Sequence, residues 1–170
     1  MSKKNKMILW AILLCVTGIF VYVVSIPKGN TVESRQELLN DAVSGESTWK
    51  IMQETNIENY IISCAYSEND KATIAVFCPT QNGGYKFVTS TNRNNKEVIV
   101  GGVNINEDWY DLIWFNGAQT EYAEVTYTID NEEKTIKYDT SNMNLISIKN
   151  NEPSYKLDVY YYDSKGNKYE

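Results

Sequence analysis

The stretch Tyr122–Ile129, YAEVTYTI, decides the fold class. Ala123, Val125, Tyr127 and Ile129 alternate with Glu124, Thr126 and Thr128. Successive side chains of a strand point to opposite faces, so this segment has one apolar and one polar face. The pattern continues on both sides. Asp130-Asn131-Glu132-Glu133 turns the chain; Lys134–Tyr138, Met143–Lys149 and Lys156–Tyr162 follow as strands, and Asp163–Asn167 is a final turn. Upstream, Trp109–Phe115 is strongly aromatic. Glu97–Val103 is β-branched and carries Gly101-Gly102, which predicts a bulge or a close backbone approach.

Thr91–Lys96 is a polar break, and more strands precede it. Ser47–Glu54 is a weak one. Glu58–Tyr66 sets Tyr60, Ile62, Cys64 and Tyr66 on one face, and Ala72–Cys78 sets Ile74, Val76 and Cys78 on one face. Ser67–Lys71 reads as a polar hairpin loop. Asn82-Gly83 is a hairpin signal, since both positions of a tight turn want positive φ. Ahead of the strands, Asn30 and Glu33 have the spacing of a capping box. Val32, Leu38, Leu39, Ala42 and Val43 then share one helical face, with a stop at Ser44-Gly45.

The N-terminus predicts a different environment. Met7–Ile26 is 20 residues without a charge, enough for a helix of roughly 30 Å, the thickness of a bilayer core. Trp10 and Tyr22 lie towards its ends. A cleaved signal peptide fits less well, because the run is long and Val23-Val24-Ser25-Ile26 offers no small-x-small site. Lys3, Lys4 and Lys6 precede the span, so the positive-inside rule sets the N-terminus in the cytoplasm. The expected layout is a cytoplasmic tail (1–6), a transmembrane signal anchor (7–26), a helix plus β-meander (27–95) and a β-sandwich-like half (96–170). The fold class is thus a single N-terminal transmembrane helix carrying an α+β to mainly-β ectodomain. The localisation is the cell membrane, single-pass, with residues 27–170 extracytoplasmic and residues 7–26 in the lipid bilayer.

Composition narrows the chemistry. The 170 residues include no His, which excludes Ser-His-Asp and Cys-His catalysis and His metal sites. The net charge is −6, from 16 basic and 22 acidic residues, which argues against nucleic acid. With three Lys ahead of the span, the 13 later basic residues face all 22 acids, so the outer part carries −9.

Four groups are candidates for function. Cys64 and Cys78 point to the same face, and form a disulfide if the hairpin register brings them together; otherwise they are two small buried thiols. Asp108 and Asp111 flank Trp109, as in a sugar-binding or glycosidase cleft; the plainer reading is a strand with polar ends and core-facing rings. The acidic turns at Asp130 and Asp163 do not match a calcium loop, so no metal or other cofactor is expected. In Tyr160-Tyr161-Tyr162, Tyr161 joins the core with Leu157 and Val159, while Tyr160 and Tyr162 share the other face as a binding patch or as part of a two-sided buried strand.

Two stretches, Tyr162-Asp163-Ser164-Lys165-Gly166 and Asp108-Trp109-Tyr110, carry a resemblance. The layout resembles that of small membrane- or lipid-anchored surface proteins of Gram-positive bacteria. It departs from them at Cys15, which follows Leu14 rather than a small residue. The resemblance implies a helix and a β-meander ahead of a sandwich-like half closing on an Asp-x-x-Gly turn, and supplies no catalytic residues. The function expected is a bacterial, non-catalytic binding or accessory protein that docks a membrane-protein partner or a ligand through a β face. The alternatives are a carboxylate-dependent cell-wall glycan hydrolase and a structural spacer.

Overall fold

A computed structural model describes residues 8, 10, 12–17, 27–43, 45, 48–91, 98–115, 120–140, 145–150 and 155–169. Helix α1 (Val32–Ala42) precedes the strands β1 (Trp49–Ile57), β2 (Tyr60–Ser67), β3 (Ala72–Pro79) and β4 (Tyr85–Ser90). Then come β5 (Val98–Ile105), β6 (Asp108–Phe115), β7 (Tyr122–Ile129), β8 (Glu132–Asp139), β9 (Leu145–Lys149), β10 (Lys156–Tyr162) and β11 (Lys168–Tyr169). They form three antiparallel sheets: A, order β1-β2-β3-β4; B, order β5-β6-β9; and C, order β11-β10-β7-β8.

The fold class therefore needs correction: the described residues are mainly β, in three sheets. Among the described residues no helix is long and apolar enough to cross a membrane. Within 7–26 only residues 8, 10 and 12–17 are described, all helical. The rest of that stretch lies outside the described residues. The transmembrane, signal-anchor and single-pass membrane readings, and the extracytoplasmic placement of 27–170 that hung on them, are overturned with it.

The layers stack as α1, A, B and C, with a core between each pair. Leu39, Val43, Trp49, Ile51, Ala75 and Phe77 pack the helix on sheet A. Ile62, Cys64, Ile74 and Val76 of sheet A meet Ile99, Val103, Leu112 and Trp114 of sheet B. The opposite face of sheet B, with Ile113, Phe115 and Ile146, packs on Ala123, Val125, Tyr127 and Tyr161 of sheet C. Sheets B and C are interleaved in sequence, because the chain leaves β6 for β7 and β8, returns for β9, then leaves again for β10.

Local chemistry explains the turns. Asn106-Glu107 and Asp130-Asn131 both carry positive φ at two successive residues, the conformation that joins twisted strands in a two-residue hairpin. At Asn82-Gly83 only Gly83 has positive φ, and Thr80 N–H donates to the Gly84 carbonyl at 2.8 Å, so this hairpin has a longer loop. The helix cap is Thr31 rather than Asn30: Thr31 Oγ1 accepts from Ser34 N–H at 3.2 Å.

The inward face of α1 also differs from the apolar one. Val32 and Ala42 are exposed, and Arg35 is buried in line with Leu39 and Val43. Arg35 forks onto Glu54 of β1, with Nε to Oε1 at 2.9 Å and Nη2 to Oε2 at 2.5 Å, and its Nη1 donates to the Gly29 carbonyl at 2.7 Å. Ser63 Oγ donates to the same carboxylate at 2.6 Å. Breaking a buried pair leaves an uncompensated charge, whereas replacing both partners by apolar side chains is often nearly neutral. Arg35→Met is expected to lower unfolding free energy by about 3 kcal/mol, and Arg35→Met with Glu54→Met to recover most of it. Urea unfolding of both variants measures the difference.

Candidate functional site

Strand parity sorts the predicted site residues. Asp108 and Asp111 are three positions apart in β6, so their side chains leave opposite faces of sheet B. Asp108 sits at the strand's start and pairs with Lys149 Nζ at 2.5 Å, a hydrogen bond that raises the Lys149 pKa. Asp111 faces sheet C and is only 4 % exposed. Its oxygens are divided evenly. Oδ1 accepts from Trp109 Nε1 at 3.0 Å and from the Tyr155 hydroxyl; Oδ2 accepts from the Tyr127 hydroxyl at 2.9 Å and from Asn150 Nδ2 at 3.4 Å. These four partners are all neutral donors. Burial, and then the bond to Asp111, push the Tyr127 and Tyr155 hydroxyls up. A carboxylate offers about four lone-pair sites, and four donors meet them here. The arrangement is a clasp tying β6 to β7, to the end of β9 and to the residue before β10. The two carboxylates do not converge on a shared space.

Trp109 lies across Gly102 of the neighbouring strand, where a Cβ would overlap the indole. Gly101 faces the other way, and a Cβ there would overlap the Thr91 methyl. The glycine pair is thus a close approach on both faces rather than a bulge, since β5 and β6 pair one to one from Val98↔Phe115 to Ile105↔Asp108.

The three adjacent tyrosines follow parity. Tyr161 is 2 % exposed and stacks on Phe115 at 3.8 Å. Tyr160, 38 % exposed, and Tyr162, half-buried, lie on the outer face of sheet C. The sequence reading missed their neighbours there. Tyr122 is the cross-strand partner of Tyr162, and the two rings stack at 4.6 Å with 12° between planes. Lys137 Nζ sits 3.3 Å from the Tyr122 centroid, and Lys168 Nζ 3.5 Å from that of Tyr160, both in the range of cation–π attraction. Glu124 hydrogen-bonds Tyr162 and raises its pKa. The parity of β7 already put Tyr122 on the polar face; what the sequence lacked was the register that sets it beside Tyr162.

The hairpin register decides between the two readings of Cys64 and Cys78. Cys64 and Cys78 are both free. The hairpin register sets Cys64 opposite Ile74, leaving Cys78 four residues further along β3. At about 3.4 Å per residue that offset far exceeds the reach of a disulfide. Cys64 is buried, and burial pushes its thiol up. The Asp163 turn is closed by its own amides: Asp163 Oδ1 accepts from Lys165 and Asn167 N–H, both at 2.8 Å, and Oδ2 from Asn167 Nδ2 at 2.8 Å. These bonds, led by Asn167, hold the Asp163 pKa below the usual carboxylate range. Among the described residues, no cluster of three or more His, Cys, Asp or Glu could hold a metal ion.

A pocket of about 190 Å³ opens between the end of β4 and the middle of β5. Thr89, Ser90 and Thr91 form one wall, Val100, Gly101 and Gly102 the other, with Leu112 behind, and no ionisable side chain lines it. Comparison of the chain with family models, curated proteins and solved structures finds no match.

The clasp and the tyrosine stack make opposite predictions. Asp111→Asn turns an amide donor against hydroxyl, indole or amide donors, and should cost at least about 2 kcal/mol. The Tyr161 hydroxyl is buried with no hydrogen-bond partner among the described residues, so Tyr161→Phe should leave stability unchanged or raise it by about 1 kcal/mol. Denaturant midpoints at constant m-value check both.

Proposed function

We propose that this protein is a non-catalytic binding module that docks a partner protein through the outer face of sheet C. The observation that carries this reading is the grouping of Tyr122, Tyr160 and Tyr162 with Lys137 and Lys168 on a face that the hydrophobic cores do not use. Tyrosine supplies contact area at low entropic cost together with a polar tip. The lysines covering two rings fix those rings before a partner arrives, which reduces the ordering cost of association.

The glycan-hydrolase alternative is less well supported. It needs two carboxyl groups flanking one bond, roughly 5–10 Å apart across a cleft. Asp108 and Asp111 leave opposite faces of β6, and Asp111 has its oxygens occupied. The pocket beside β5 offers no acid or base.

The test is affinity capture with the full chain and with Tyr160→Ser/Tyr162→Ser. The reading expects one protein recovered by the parent and lost with the double variant, whose circular dichroism and unfolding midpoint stay within error of the parent. Recovery unaffected by the substitutions, or glycan cleavage by the parent chain, contradicts it.

A further inference from the structure

Pro27-Lys28-Gly29-Asn30 stands ahead of α1 and belongs to no helix or strand, yet each of its residues is held by a backbone hydrogen bond. The Pro27 carbonyl accepts from Asn30 N–H at 3.3 Å, and the Lys28 carbonyl accepts from Tyr85 N–H at 2.9 Å. Gly29 N–H donates to Ser34 Oγ at 2.7 Å, and the Gly29 carbonyl accepts from Arg35 Nη1 at 2.7 Å. Lys28 and Asn30 are exposed, while Gly29 between them is buried.

Two glycines make the fit. Gly29 has a φ of +78°, and a Cβ there would overlap the Tyr85 carbonyl. Gly84, in the loop between β3 and β4, is buried, and a Cβ there would overlap the Lys28 carbonyl oxygen and Pro27 Cβ. The loop itself does not demand glycine at this position. Positive φ falls on Gly83, which has open space around it, and not on Gly84. The pair Gly83-Gly84 therefore divides its work: the first shapes the turn, and the second leaves a notch that Pro27 and Lys28 occupy. Arg35 joins the parts. Its Nη1 holds Gly29, its guanidinium carbon lies 5.8 Å from the Tyr85 ring centroid, and its fork onto Glu54 anchors it to β1. The Lys28 carbonyl also covers the first N–H of β4, the open edge of sheet A.

We propose that Pro27–Asn30 is a strap that clamps the chain to the β3–β4 hairpin, so that whatever precedes Pro27 leaves the domain from a fixed place. Gly84 is its notch and Arg35 its positioning residue. A segment of this composition reads as a linker, and a flexible linker leaves its backbone to water. Ordering four residues costs backbone entropy, which the interlocked glycines and the buried arginine offset. Because the Lys28 carbonyl and the Tyr85 N–H are partners, releasing the strap uncovers the start of the β4 edge in the same event. The strap belongs to sheet A and is independent of the tyrosine face of sheet C.

The test uses the full chain and reads both sides of that event: hydrogen exchange of the Tyr85 amide, and tryptic cleavage of the Lys28–Gly29 bond, identified by mass. A protease cuts the released form, so the cleavage rate follows its population when reclosing is fast. In the parent, cleavage is expected to be at least tenfold slower than in a free peptide of residues 22–34. Gly84→Ala, which the backbone at that position accepts, should raise both rates at least tenfold and leave the amides of β2 and β3 unchanged. Arg35→Met with Glu54→Met should also raise both rates at least tenfold while keeping an unfolding midpoint near the parent's, because it does not replace the bond to Gly29. This second variant decides the matter if Gly84→Ala does not fold. Three results overturn the proposal: parent cleavage as fast as in the peptide, both rates unchanged in the double variant, or a rise shared equally by the β2 and β3 amides, which makes the opening global.

Discussion

Over Asp111–Phe115, strand β6 meets no water on either face. Leu112 and Trp114 are committed to the core with sheet A, and Asp111, Ile113 and Phe115 to the interface with sheet C. A strand buried on both faces supports each neighbouring layer only while the other is in place. Burial of a large apolar side chain contributes about 1.5–3 kcal/mol relative to exposure, and this short run supplies four such residues to two cores. Asp111 is the exception in composition but not in role. A buried carboxylate is tolerated because Trp109, Tyr127, Asn150 and Tyr155 replace its water, and those donors come from the elements that must close over it.

The one-sided strands were the legible ones. Tyr122–Ile129 alternates cleanly because sheet C has a core face and a wet face, and the same parity put Tyr161 inward and Tyr160 and Tyr162 outward. Gly101-Gly102 signalled a close approach because a missing Cβ is visible in any sequence, though not what would fill the space: Thr91 on one side and Trp109 on the other. The two-sided strands carried less: parity grouped Tyr60, Ile62, Cys64 and Tyr66, and Ile74 with Val76, and these share the core between sheets A and B. In β2, β3 and β6, apolar residues occupy both parities, so the pattern could not say which sheet each face would meet.

Long-range pairing explains most of what the sequence left open. Arg35 interrupts the apolar stripe of α1, and its partner Glu54 sits on another element, so its burial was not legible from helical spacing. Asp111 and Asp108 were weighed as a cleft pair and, more plainly, as polar ends of a strand, and three-residue spacing separates them by face. Cys64 and Cys78 depended on a hairpin register that a change of loop centre would have altered. The apolar stretch at 7–26 satisfied the length rule for a span, yet among the described residues no helix is long and apolar enough to cross a membrane.

Among the described residues, the aromatic, lysine-braced face of sheet C and the uncharged strand β5 of sheet B border the cores. Both are held in place by the double burial of β6, and native-state hydrogen exchange tests that dependence most directly. Amides of β2, β3, β6 and β7 should exchange only through one global opening, with a common free energy and a common denaturant dependence. If sheet A instead exchanges at one free energy while sheets B and C exchange at a clearly different one, the central sheet does not unite the layers and the account fails.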